Sequence, residues 1–135
     1  MNITKLDELK FTNPYLSLPE LSFDRVKPSP LNGAFLIHAN PAMAELLNID
    51  ISDEERLTQL LNGALEPEGS ESFAMCYAGH QFGHFVPRLG DGRAINIGTV
   101  QDRNGINQHL QLKGAGETLY SRSGDGRAVL RSSIR

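Results

Sequence analysis

The sequence predicts an α+β fold in which a helical N-terminal part precedes a small antiparallel sheet, and three observations carry that expectation. Two stretches, 41–47 and 52–61, place apolar residues at helical spacing behind capping residues. Beyond residue 79 the chain turns glycine-rich, and apolar residues alternate with polar ones as strands require. The pentapeptide Gly-Asp-Gly-Arg-Ala occurs twice, at 90–94 and 124–128, and each copy interrupts the regular pattern.

Residues 11–34 carry prolines at 14, 19, 28 and 30 and no helical periodicity, which predicts an extended arm packed on a surface. The first helix follows: Asn40 caps it, Pro41 fits its first turn, and Met43, Leu46 and Leu47 form an apolar face. A second helix is predicted from Ser52, with Glu55 completing a capping box, Leu57, Leu60 and Leu61 as its buried stripe, and Gly63 past its end. The polar segment EPEGSES (66–72) is the best linker. It divides the chain into an arm with a helical extension at 1–70 and an incomplete sheet domain at 71–135.

Within that second part, FVPRL (85–89) and AINIGTV (94–100) read as strands flanking the first GDGRA. In GINQHLQLK (105–113), Ile106, Gln108, Leu110 and Leu112 point one way, and Asn107, His109, Gln111 and Lys113 the other. The Asn-Gly of QDRNG (101–105) predicts a tight hairpin turn between them. Residues 114–126 then read as a loop and 127–135 as the start of a helix.

A net charge of −3 without a basic stripe argues against nucleic acid and membrane surfaces as partners. Cys76 is the single cysteine, so no internal disulfide forms, and a reducing, cytoplasmic setting is expected. The N-terminal stretch has no apolar core of a signal peptide, and no segment approaches the length of a membrane span. Because SSIR ends the chain inside a helical pattern, the sequence is expected to be a piece of a longer protein with an incomplete site.

The glycines suggest a chemistry. A Gly-x-Gly turn lets backbone N–H groups approach a ligand closely, phosphates are the usual ligands, and Arg93 adds a charge-assisted donor beside Gly90 and Gly92. Lys113, at the end of the third strand, corresponds in position to the strand lysine that holds phosphates in glycine-loop kinases; a solvated edge lysine is the other reading. In the second copy, Asp125 is placed to cap a helix and Gly126 to keep its first turn open, as a plain cap or as an anion site. A 34-residue structural repeat is rejected, because strands flank one copy and a helix follows the other. His80 and His84 have metal-pair spacing, but the adjoining glycines disfavour the helix that such a pair needs. Cys76 reads as a small buried hydrophobe.

Taken together, YAGHQFG (77–83), LGDGRAINIG (89–98), QLKGAGETLYSRSGDGRAVLRSSIR (111–135) and FTNPYLSLPE (11–20) resemble the N-terminal part of the selenoprotein O family. That resemblance implies a protein-kinase-like N-lobe and a protein adenylyltransferase activity. Such an enzyme transfers AMP from ATP, with Mg²⁺, to Ser, Thr or Tyr hydroxyls of proteins, with the nucleotide flipped relative to ordinary kinases. It implies nucleotide-site roles for Gly90, Gly92, Arg93, Lys113, Asp125 and Gly126. It also implies that the catalytic Asp, as base, and the Mg²⁺-binding Asn and Asp lie in a C-terminal lobe outside this sequence. A kinase-like phosphotransferase and a non-catalytic nucleotide-binding scaffold are the alternatives.

Overall fold

The computed structural model describes residues 2–133. In chain order its strands are β1 (Phe23–Arg25), β2 (Phe73–Met75), β3 (Gly79–Gln81), β4 (His84–Val86), β5 (Ala94–Gln101) and β6 (Asn107–Lys113). The helices are α1 (Pro41–Leu47), α2 (Glu54–Leu61) and the short α3 (Leu130–Ser133), with 3₁₀ turns at Leu6–Glu8, Pro14–Ser17 and Glu20–Ser22. One antiparallel sheet has the order β1-β2-β5-β6, and β3 and β4 form a separate ribbon. The fold is therefore α+β with a small antiparallel sheet. Among the described residues no helix is long and apolar enough to cross a membrane.

The helix punctuation holds in part. Asn40 Oδ1 accepts from the N–H groups of Ala42 and Met43 at 3.0 and 3.3 Å, with Pro41 in the first turn. The second helix begins later than expected. Its cap is Asp53, whose carboxylate accepts from Arg56 N–H at 3.0 Å, whereas the N–H of Ser52 is taken up by Asp50 at 2.9 Å. Serine at 52 is thus spent in a preceding turn, and the aspartate beside it supplies the cap. Gly63 sits past the end at φ 75°, and the N–H groups of Gly63 and Ala64 bond to Leu60 and Gln59 carbonyls, closing a Schellman turn. Leu57 and Leu60 are buried, but Leu61 is half exposed.

The arm does more than lie on a surface. Phe23, Asp24 and Arg25 pair with Met75, Ala74 and Phe73, so the arm supplies the edge strand β1. Upstream, Thr12 and Thr99 exchange backbone hydrogen bonds of 2.9 and 2.8 Å, and Phe11 packs against Gly98. Tyr15 stacks on Phe73 with ring centroids 5.2 Å apart. These contacts cover a second face of β5, and Ile95 through Val100 are all buried. The predicted alternation holds in β6, where Leu112 is buried and Asn107, His109, Gln111 and Lys113 are exposed.

Leu6, Leu9 and Phe11 join Leu57 and Leu60 and the sheet residues Ile95, Ile97 and Leu112 in one apolar cluster. Segment 66–72 is tied down rather than slack. Glu68 O accepts from Phe11 N–H at 2.8 Å, Ser70 Oγ donates to Ile97 O at 2.8 Å, and Pro67 is buried. Its acidic residues meet arm cations in the exposed pairs Lys27–Glu66 and Arg25–Glu71. The β5–β6 connection is the tight hairpin turn expected, closed by Gly105 N–H to Asp102 O at 2.9 Å and Asp102 N–H to Ile106 O at 2.8 Å. Asp102 is its organiser: Oδ1 accepts from Asn104 and Ile106 N–H groups and Oδ2 from Gln108 Nε2. Only Gly105 of the Asn-Gly pair has positive φ, so the loop is built on an aspartate turn.

Candidate functional site

The two GDGRA strings and Lys113 line one open cleft of about 530 Å³. His80, His84 and Cys76 are not on its walls, whereas Gly90, Gly92, Arg93, Lys113, Asp125 and Gly126 all are. Arg122 and Arg127 join them. Four basic residues thus line the cleft together with Asp91 and Asp125, on a chain whose overall charge is −3. A second cleft, of about 490 Å³, lies between α1, α2 and β6; its lining is mostly apolar and holds no lysine or arginine.

The first string is held by its neighbours rather than by a hairpin of one sheet. FVPRL is a strand only at its start, as part of β4, and β4 belongs to the ribbon with β3. The string therefore links two separate sheets. Leu89 and Gly90 N–H groups bond to Tyr77 O at 2.9 and 3.1 Å, and Asp91 N–H to Met75 O at 2.9 Å. The Asp91 carboxylate is buried and accepts from Met75 N–H and from the Tyr77 hydroxyl, each at 3.0 Å, and from Asn96 Nδ2 at 3.4 Å. Burial, then the hydrogen bond and the charge of Asp91, push the Tyr77 phenol up to about 12.

On the opposite side, residues 118–121 clamp the same string. Thr118 Oγ1 donates to Asp91 O and Ser121 Oγ to Gly92 O, both at 2.6 Å, while Ser121 Oγ accepts from Thr118 N–H at 2.7 Å. The Tyr120 ring lies against Gly90, where a Cβ would come within 2.4 Å of the ring, and φ there is 60°. Only glycine satisfies both constraints. Arg93 and Gly92 N–H groups form no hydrogen bond with another described residue, which leaves two donors in the loop for a ligand.

The second string departs from the helix start expected of it. Asp125 Oδ1 accepts from Arg127 N–H at 2.9 Å, closing a local turn, and α3 begins only at Leu130. Asp125 is not the cap of that helix. Residues 134–135 of the predicted helix lie outside the described residues. Gly126 serves a different purpose from the one foreseen: it is buried at φ 69°, and a Cβ would stand 1.8 Å from Gly116 O. Two backbones meet there, and Gly116 N–H donates to Gly126 O at 3.3 Å.

Gly114 joins the strings. Its N–H donates to Arg93 O at 2.6 Å, and its carbonyl accepts from Arg127 Nη1 at 3.2 Å. Arg127 Nη2 also reaches Ser29 O at 2.7 Å, so this arginine is a strut, whereas Arg93 is exposed. Lys113 is opposite Ala94 in the β5–β6 register, is exposed, and makes no ion pair with a described residue. His80 and His84 fall on the two strands of the ribbon, joined by Phe82 and Gly83 at φ 52° and 77°. Sequence reasoning missed Tyr77, Asp91, Thr118 and Ser121; the hydroxyl-bearing run before the second string was the available signal.

Comparison with known proteins identifies the lineage of this arrangement. Residues 5–135 match the family described as protein adenylyltransferase SelO. Among curated relatives, protein nucleotidyltransferase YdiU of Bradyrhizobium sp. (strain ORS 278) is 50% identical over 127 residues, covering 93% of this chain and 26% of the relative. YdiU of Myxococcus xanthus (strain DK1622) is 50% identical over 132 residues, covering 96% of this chain and 27% of the relative. YdiU of Thiobacillus denitrificans is 49% identical over 133 residues. The chain spans about a quarter of the length of these relatives. This chain belongs to the SelO family of protein adenylyltransferases.

Proposed function

We propose that this chain supplies the phosphate-holding wall of the nucleotide site in a protein adenylyltransferase, with the sheet and cleft acting as a protein-kinase-like N-lobe. The reaction is transfer of AMP from ATP to Ser, Thr or Tyr hydroxyls of protein substrates, in the cytoplasm. One observation carries this reading: two glycine strings and a strand lysine, far apart in sequence, line a single cation-rich cleft. Family membership and the relatives' description as protein nucleotidyltransferases support it.

Each residue has a physical task in this reading. Gly90 and Gly92 keep the first string free of Cβ atoms, and the Gly92 and Arg93 N–H groups meet phosphate oxygens. Arg93 and Lys113 add charge on the β- and γ-phosphates, which leaves the α-phosphorus for attack and pyrophosphate as leaving group. Asp125 and Gly126 form the facing wall. Mg²⁺, which would neutralise phosphate charge, finds no ready set of ligands here. The described residues contain no group of three or more His, Cys, Asp or Glu suited to a metal, and the Asp91 carboxylate is already taken by three donors.

The test places this chain in a full-length context, for example in place of the matching quarter of the Myxococcus xanthus relative. The chimaera is incubated with a protein acceptor, Mg²⁺ and ATP labelled at the α- or γ-phosphate. Label reaching protein from the α-position alone is expected. Label from γ alone would make the protein a kinase-like phosphotransferase, and none from either would make it a nucleotide-binding scaffold.

A further inference from the structure

The cleft is lined by groups of two chemical kinds, cations with loop donors and the aromatic Tyr77. Lys113 stands opposite Ala94, Gly114 N–H donates to the Arg93 carbonyl, and the Gly114 carbonyl accepts from Arg127 Nη1, which ties the lysine strand to both glycine strings. Beside the first string, the Tyr77 carbonyl accepts from the Leu89 and Gly90 N–H groups, and Arg122 Nη1 donates to Gln81 Oε1 at 3.3 Å. Tyr77, Leu89 and Gln81 all line the cleft there.

Tyr77 combines two properties that a merely structural tyrosine lacks. Its hydroxyl is fixed on the buried Asp91 carboxylate at 3.0 Å, yet the residue remains 44% exposed. A ring anchored at its tip and open along its body is a flat surface already oriented before a ligand arrives, so stacking on it costs little side-chain freedom. A phosphate chain gains nothing from such a surface. A planar heterocycle does, because every base offers a π-face to an aromatic ring.

Resting on the nucleotide reading above, we propose that Tyr77, flanked by Leu89 and Gln81, is the nucleobase subsite of the cleft, with the triphosphate running from it toward Lys113 and Gly126. Tyr77 then has two linked roles: its hydroxyl steadies Asp91 and the glycine string, and its ring face receives the base. Stacking of this kind does not choose strongly among bases.

The experiment compares ATP with inorganic tripolyphosphate, which shares the phosphate chain but has no base, by calorimetric titration of the protein and its variants. Relative to Tyr77→Phe, which has already lost the hydroxyl that steadies Asp91, Tyr77→Ala is expected to weaken ATP about tenfold further, within the range of single base–aromatic contacts, and tripolyphosphate no further. Tyr77→Phe, which keeps the ring, is expected to hold ATP affinity within about threefold of the unaltered protein, less than one typical hydrogen bond. Lys113→Met should weaken both ligands. In protein labelled at its tyrosine rings, the resonance lost in Tyr77→Phe should shift with ATP and stay put with tripolyphosphate, a readout that does not depend on the alanine variant folding. Equal further weakening of both ligands on going from Tyr77→Phe to Tyr77→Ala, or a Tyr77 resonance indifferent to ATP, would overturn the subsite while leaving the nucleotide reading intact. Failure of the unaltered protein to bind either ligand would overturn both.

Discussion

The Tyr77 hydroxyl donates to the buried carboxylate of Asp91 at 3.0 Å, and this bond fixes the first glycine string to the segment that follows β2. It has a consequence at alkaline pH. The phenol is pushed from 10.0 up to about 12, by burial first and by Asp91 second. The unfolded chain therefore loses this proton before the folded one does. The contribution to stability is complete below pH 10 and is lost as pH rises toward about 12. Denaturant midpoints measured between pH 9 and 12 should fall, and the fall should be shallower in Tyr77→Phe. The same variant should remove the latest step of the tyrosinate absorbance titration, in which Tyr15 and Tyr120 are also raised by burial.

Thr118 and Ser121 offer a test of the clamp. Both hydroxyls donate to carbonyls of the glycine string at 2.6 Å. Thr118→Val keeps the shape of the side chain but leaves the Asp91 carbonyl unpaired in a buried place, at a cost of about 1–3 kcal/mol. The expected result is a lower thermal midpoint together with weaker ATP and tripolyphosphate binding, because the string itself loosens. Thr118→Ser restores the hydroxyl and should recover affinity. Binding unchanged in Thr118→Val would show that the string keeps its shape without the clamp.

How much of this was legible in the sequence follows from the range of each signal. The exposed face of Lys113 was readable because strand alternation is local and β6 obeys it. The caps were readable to within a residue. With Ser52 and Asp53 adjacent, nothing in the string of residues decides which one starts the helix until Asp50 takes the serine N–H. The edge strand β1 was hidden, since three residues pair with three others some fifty positions away. The meeting of the two strings was equally hidden as geometry. It depends on backbone bonds at Gly114 and on a contact between Gly116 and Gly126 that leaves no pattern in either copy. Asp125 misled because an aspartate before a helix and an aspartate closing a turn look alike in sequence.

The helix start itself gives a clean stability test. Asp53→Ala removes the side-chain acceptor of Arg56 N–H and should cost about 1 kcal/mol, read from denaturant unfolding. Ser52→Ala, at the position favoured by sequence pattern alone, should change stability by less than about 0.5 kcal/mol. The reverse ranking would return the cap to Ser52.

Gly126 and Asp125, neighbours in the second string, should respond very differently to the same replacement. An added Cβ at Gly126 would stand 1.8 Å from Gly116 O, and the residue holds φ 69°, so Gly126→Ala must force two backbones apart. Its cost should exceed the ~1 kcal/mol of an ordinary glycine replacement at positive φ. Asp125 is exposed and its carboxylate serves one local turn, so Asp125→Ala should leave the thermal midpoint nearly unchanged. Nucleotide binding separates the roles further. If Asp125 lines the nucleotide site, its alanine variant weakens ATP without destabilising the fold, a combination that a turn residue alone would not produce.

Lys113 is the sharpest test of the chemistry. It is exposed, stands at the end of β6 opposite Ala94, and pairs with no described acid, so removing its charge should cost the fold little. Against a phosphate the same charge is a direct electrostatic contact in the cleft. Lys113→Met in the full-length context should lower transfer of α-label to protein by at least about tenfold, the scale of one lost contact to developing phosphate charge. The thermal midpoint should move by no more than a surface substitution does, within about 0.5 kcal/mol. Transfer near the unaltered rate would remove Lys113 from the site. A large fall in stability instead would mean that the lysine supports the sheet edge and meets no phosphate.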